Sequence, residues 1–255
     1  MNTKATEAVP FEIAGGSVAG RAHVAAGRNN QDAFCWASDA DGLVAVVCDG
    51  CSSGPHSEVG AAVGARLVVK AATRLLRSNL DGAELLEQVG QDVLARLRVL
   101  ARAMSVDAAS FSRTVADHFL FTIVGVVITA NDATTFALGD GLVVINGERT
   151  ELGPFANNEP PYLGYALLPG ASDRGARARV SFEVHRSMAA NEVQSLVLGT
   201  DGALALEAPF WSDDRFFTNP DMVRRRLTVL KRGPRGPLLS DDTTVVVIRR
   251  KAAEG

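Results

Sequence analysis

Apolar and polar positions change their period along this chain, and the changes mark its elements. Short strand-like runs come first, at residues 11–13, 17–24, 33–37 and 43–48, with turn residues between them. Two helical segments follow. In the first, 57–76, Val59, Val63, Leu67 and Ala71 are spaced to share one face, with Ser57 as N-cap. The second, 82–104, carries a broad stripe of Leu85, Leu86, Val89, Val93, Leu94, Leu97 and Leu100, suited to lying on a sheet. The strand pattern returns at 118–129, 134–138 and 142–146, the last two joined through Gly139-Asp140-Gly141 as in a tight hairpin. Residues 147–178 read as a proline-bearing loop with Leu163, Leu167 and Leu168 tucked inward. Strands resume at 180–184 and 195–199, residues 220–230 read as a helix, and 243–249 as a closing strand. Strands outnumber helices and come in neighbouring groups. This favours an α+β fold with antiparallel sheets over an alternating parallel one.

No repeat or linker divides the pattern, so one domain over residues 1–255 is expected, frayed at about 1–10 and 251–255. Hydrophobic residues at 47% and charged residues at 22% are those of an ordinary globular protein. A net charge of −3 gives no electrostatic reason to bind nucleic acid or an anionic membrane. The basic run Arg224, Arg225, Arg226, with Lys231, Arg232 and Arg235, reads as a solvated helix face and its following turn. No apolar stretch is long enough to span a bilayer and the start MNTKATEAVP lacks a secretion signal, so a cytoplasmic location is expected. The three cysteines, Cys35, Cys48 and Cys51, are an odd number lying close together and read as reduced thiols.

The chemistry is concentrated where apolar runs end. VAVVCDG, TFALGDG and LVLGTDG place Asp49, Asp140 and Asp201 at strand ends, and SDDTT places Asp241 and Asp242 just before the last strand. If those ends converge, they form the carboxylate-rich oxygen site that Mg²⁺ or Mn²⁺ prefers. Asp-Gly is also a common turn dipeptide, and Asp41-Gly42 and Asp81-Gly82 read as turns only. Asp140, between two strands, fits a hairpin as well as a ligand. Asp49 fits a hairpin poorly, because a Gly/Ser loop and a helix follow it.

The ordered series GSVAGRAHVAAGRNNQDAF, VAVVCDGCSSGPHSEVGA, ALGDG, LGTDG and SDDTTVVVI resembles the metal-dependent serine/threonine phosphatases of the protein phosphatase 2C (PPM) family, in particular their bacterial branch. The resemblance implies an α/β/β/α four-layer sandwich, two antiparallel sheets face to face with helices on both outer faces, and a binuclear Mn²⁺ or Mg²⁺ site at one end. It implies that Asp49 bridges both ions, that the Gly50 carbonyl binds one, and that Asp201 and Asp241 complete the first. Asp32 lies beside the site, and Asp140 with Asp201 matches a third, weaker metal position. It further implies hydrolysis of phosphoserine and phosphothreonine in proteins by a hydroxide bridging the two ions, with Asp49, Asp32, Asp201 and Asp241 as the catalytic set. The expected partners are phosphorylated protein substrates and a cognate serine/threonine kinase, with the chain acting as a monomer. No Cys-x5-Arg loop is present to offer a cysteine-based covalent route.

The chain departs from the family at several positions. Gln31 stands where many members carry an acidic residue, Cys51 where some carry a histidine, and Ser52 where glycine is usual; His56 follows nearby. Arg28 is out of register with the usual phosphate-binding arginine, so His23 and Arg28 are both candidates for phosphate contact. Two further readings stand beside the enzyme. One is a phosphoprotein-binding regulator with a weakened site. The other is a zinc or redox site built from Cys48, Cys51, Cys35 and His56.

Overall fold

The structure is a computed structural model that describes residues 10–251 apart from 79, 81, 170–180 and 233–238. In chain order the elements are β1 (Phe11–Val18), α1 (Arg21–Ala25), β2 (Asp32–Ser38), β3 (Leu43–Asp49), α2 (Ser57–Leu75), α3 (Gly82–Ala103), α4 (Ala108–His118), β4 (Ile123–Ile128), β5 (Asp132–Leu138), β6 (Gly141–Ile145), β7 (Glu148–Leu152), β8 (Glu183–Ala189), β9 (Ser195–Gly199), α5 (Ala208–Trp211), α6 (Arg215–Thr218), α7 (Met222–Lys231) and β10 (Thr243–Arg250). They form two five-stranded sheets, β1-β10-β9-β6-β7 and β2-β3-β4-β5-β8, antiparallel throughout.

Strand periodicity sorts the layers. In β3, Leu43, Ala45 and Val47 point to the other sheet, while Val44, Val46 and Cys48 point to α2 and α3. In β10, Val246 and Ile248 face the inner core, while Val245 and Val247 face α7 and the short helices α5 and α6. The result is helices, sheet, sheet, helices. The antiparallel α+β class expected from the strand grouping and the four-layer sandwich implied by the family resemblance are the observed ones. Leu43 through Cys48 are all 0–1% exposed, so the strand carrying Asp49 is buried on both faces. Each such Val or Leu contributes roughly 1.5–3 kcal/mol by burial. Several together outweigh the few kcal/mol by which clustered carboxylates repel one another, so the strand end stays where it is.

Several elements differ from the sequence reading. The strand expected over 17–24 stops at Val18, and Arg21–Ala25 is helical. The strand expected to begin at 118 begins at Ile123; a helix ends at His118, started by Asp107, whose side chain accepts from the Ser110 N–H in a capping box. Residues 147–178 are not all loop. Asn146 (φ 52°) and Gly147 (φ 87°) make a tight turn into β7, and Asn-Gly is the dipeptide that such a turn favours. Strand β8 runs later than expected, and the residues 170–180, which include the start expected for it, lie outside the described ones.

Helix α2 is rotated from the face the large residues suggested, although Ala71 is buried as expected and Leu67 is half-buried against the same core. Its buried positions include Gly60, Ala61, Gly64, Ala65, Val68, Ala71 and Ala72, whereas Val59 is 42% exposed. Small residues let the helix axis approach the sheet closely, and a Cβ at Gly60 would stand 1.8 Å from the His118 carbonyl oxygen. The N-cap is His56; Ser57 lies inside the first turn with its hydroxyl buried.

Candidate metal centre

Five loops and strand ends meet at one end of the sandwich. Asp49 is the last residue of β3, and Asp32, the first of β2, is its partner across the ladder. Asp201 opens a short 3-10 turn directly after β9. Asp241 lies two positions before the start of β10. Asp140 sits between β5 and β6, which belong to different sheets, so Gly139-Asp140-Gly141 is a crossing from one layer to the other and not a hairpin. Gly139 takes φ 103° there, a value side chains avoid. Asp49, Asp140, Asp201 and Asp241 line one cavity of about 280 Å³ together with Gly50, His23, Gln31, Cys51, Thr122, Pro160 and Tyr162.

Backbone contacts fix the floor. The Asp49 carbonyl accepts from Thr122 N–H at 2.8 Å, and Gly50 N–H donates to the Gln31 carbonyl at 3.1 Å. Thr200 donates its hydroxyl to Asp32 Oδ2 at 2.7 Å and accepts from Thr244 N–H at 3.0 Å, tying both sheets together at the site. Asp242 N–H donates to Asp241 Oδ1 at 2.8 Å.

The electrostatics describe a centre that calls for positive charge. Burial, then the neighbouring Asp32, Asp201, Asp241 and Asp140 carboxylates, holds Asp49 well above the usual carboxylate range. Asp32 is pushed up to about 8, first by burial and next by Asp242 and Asp201, against the lowering hydrogen bond from Thr200. Asp201 rises to about 6 through burial, Asp241 and Asp140. Asp140 is raised chiefly by burial. Asp32 Oδ1, Asp201 Oδ1 and Gln31 Oε1 are buried with no hydrogen-bond partner among the described residues. Orphaned hard oxygens among repelling carboxylates fit a divalent cation of the Mg²⁺ or Mn²⁺ type.

A family model described as Protein phosphatase 2C matches residues 19–232. The chain belongs to the protein phosphatase 2C family. Solved structures share the phosphatase 2C fold. Serine/threonine phosphatase Stp1 from Staphylococcus aureus superposes with a TM-score of 0.58 at 14% identity, over 95% of this chain and 96% of that one. The Mycobacterium tuberculosis serine/threonine phosphatase PstP/Ppp gives 0.56 at 16%, over 95% and 99%. The catalytic domain of PstP in complex with 2 manganese ions gives 0.54 at 16%, over 95% and 99%. No curated protein matches this phosphatase 2C member in sequence.

Of the two candidates for phosphate contact, only His23 lines the cavity. Arg28 instead donates to the Gly54 carbonyl at 3.1 Å and steadies the loop after Cys51. Cys48 packs in the core between β3 and α2, and the described cysteines and His56 form no group with three ligand atoms close together. Among the aromatics at 210–217, Phe210 and Phe216 are buried under the outer face of the β1-β10 sheet. The cavity wall comes from elsewhere. Pro160, Tyr162 and Tyr165 supply it, on the segment read as loop. Leu163 and Leu167 of that segment are buried as expected, and this inward tuck was the available signal. No helix of the described residues is long and apolar enough to cross a membrane.

Proposed function

We propose that this chain hydrolyses phosphoserine and phosphothreonine monoesters in proteins, using two Mn²⁺ or Mg²⁺ ions. The observation that carries the reading is the convergence of Asp32, Asp49, Asp140, Asp201 and Asp241, with unpartnered carboxylate oxygens, from five separate points of the chain onto one site. Asp49, the Gly50 carbonyl, Asp201 and Asp241 would hold the two ions, and Asp140 with Asp201 a third, weaker one. When bound, such ions supply hydroxide near neutral pH and neutralise charge on phosphoryl oxygens.

The chain's own part is placement. Rigid β3 fixes Asp49, the Thr200 hydroxyl holds Asp32 against it, and Gln31 and His23 close one side of the cavity. Tyr162 and Pro160 line the same cavity. A single cytoplasmic domain working as a monomer, opposing a serine/threonine kinase that supplies its substrates, completes the proposal.

The test is hydrolysis of p-nitrophenyl phosphate and of a phosphothreonine peptide, with and without MnCl₂, by wild type and Asp49→Ala. Metal-dependent turnover lost in Asp49→Ala is expected. Turnover that ignores metal, or survives Asp49→Ala undiminished, sinks the mechanism. Absent turnover with tight phosphopeptide binding would instead favour a regulator, the role that Gln31 and Cys51 suggest.

A further inference from the structure

Asp242 stands next to a proposed metal ligand, yet its carboxylate is spent elsewhere. It is 2% exposed and does not line the cavity. Its Oδ1 accepts from Gly20 N–H at 2.6 Å, and its Oδ2 accepts from Gln31 N–H at 2.6 Å and from His23 Nδ1 at 2.7 Å. Three donors thus surround one buried carboxylate, at the two ends of the 20–31 segment and from α1 between them. A carboxylate only accepts, so the ring nitrogen facing it carries the hydrogen.

The ligand atoms of His23, Asp241 and Asp242 gather within 4.8 Å of one another, which raises the alternative of a further cation there. The distances oppose it. Ligands of one octahedral cation with bonds of about 2.1 Å stand roughly 3 Å apart or more. The His23 to Asp242 separation of 2.7 Å is that of a hydrogen bond.

With Nδ1 engaged, Nε2 is the nitrogen this cavity-lining ring has left, and it has no hydrogen-bond partner among the described residues. We propose that Asp242 is a positioning residue for substrate binding: it aims His23 so that Nε2 contacts the substrate's phosphoryl group. A ring bearing both protons gives one to Asp242 and the other to a phosphoryl oxygen, a charge-assisted contact. The proposal rests on the phosphatase reading and adds to it a residue that works through another.

The experiment is a double-mutant cycle of His23→Ala and Asp242→Asn on Mn²⁺-loaded protein, with p-nitrophenyl phosphate and a phosphothreonine peptide as substrates. Mn²⁺ affinity is measured by calorimetry, and the His23 ring nitrogens are read by NMR on the metal-free protein. Each single variant should raise KM for both substrates by about tenfold, the worth of one hydrogen bond to a charged group, with kcat changed less. The double variant should be no worse than His23→Ala. Mn²⁺ affinity should stay within about twofold of wild type, and the proton on His23 Nδ1 should be seen in wild type.

Four results overturn the proposal. They are a full further loss from Asp242→Asn in the His23→Ala background, a large drop in Mn²⁺ affinity, a loss confined to the peptide, or a wild-type ring with Nδ1 unprotonated. If Asp242→Asn does not fold, His23→Ala and the wild-type ring signature still decide. Wild type that turns over neither substrate defeats the phosphatase reading itself, whereas active wild type with an unaffected His23→Ala defeats this inference alone.

Discussion

Asp32 and Asp49 are direct partners at the open end of the β2–β3 ladder, two carboxylates held side by side by the register of buried strands. Both are raised above the ordinary carboxylate range, as are Asp201 and Asp140. The folded protein without metal therefore binds more protons than the unfolded chain wherever these groups are still protonated only when folded. That window opens above about pH 4 and extends to the folded values, about 6 for Asp201 and about 8 for Asp32. Stability must fall as pH rises through it. In EDTA, Tm should drop by about 5 °C or more between pH 5.5 and 8, and excess Mn²⁺ should remove most of the drop. A flat or rising Tm in EDTA over this range contradicts the cluster.

Alanine at Asp49, Asp201 or Asp241 should cut Mn²⁺-dependent phosphatase activity by at least about 100-fold. Asp41→Ala should leave it near wild type. Asp41 sits in the turn at the opposite end of β3, paired with Arg77 at 2.8 Å on the surface. An exposed pair of this kind contributes about 1 kcal/mol at most. Assays of the four variants under saturating MnCl₂ separate ligand from turn.

Gln31 is 1% exposed; its amide nitrogen donates to the Gly54 carbonyl at 3.0 Å and its Oε1 has no partner. Replacing it with glutamate adds a charged oxygen to the site and removes that donor. Gln31→Glu should bind Mn²⁺ about tenfold more tightly by calorimetry, and the metal-free variant should melt at a lower temperature than wild type. Unchanged affinity would show that Gln31 does not face the cations.

Exposed helical Gly→Ala changes usually stabilise, but Gly60 faces a carbonyl at a distance no Cβ can occupy. Gly60→Ala should destabilise by roughly 1–3 kcal/mol in urea unfolding. The helix must then move away from His118, and the loop after Cys51 with it. A neutral or stabilising result means that α2 does not pack this closely.

Much of the site was legible because its ligands lie where local pattern is strongest. Asp49 and Asp201 each follow a run of apolar residues, and Asp241 stands shortly before the run Val245–Ile248. A buried strand shows in sequence as such a run, so its end is visible too. The face of α2 was not legible. Its packing uses glycine and alanine, which carry almost no hydrophobic signal, while Val59 points to solvent. The wall of Pro160, Tyr162 and Tyr165 was hidden for a related reason, since irregular backbone has no period to read.

By itself the sequence determined the antiparallel α+β class, the aspartates near its strand ends and the family pattern they form, because strand period and strand-end chemistry are local properties. Tertiary structure decided what Asp140 and His23 are. Gly139-Asp140-Gly141 has the same local pattern whether it closes a hairpin or crosses between sheets, and only the placement of β5 and β6 in different layers turns Asp140 toward the cavity. His23 and Arg28 stood level until folding brought Asp242, 219 residues away from His23, to within hydrogen-bonding distance of its ring. Such a contact depends on how two distant segments pack, which no local window of the chain contains.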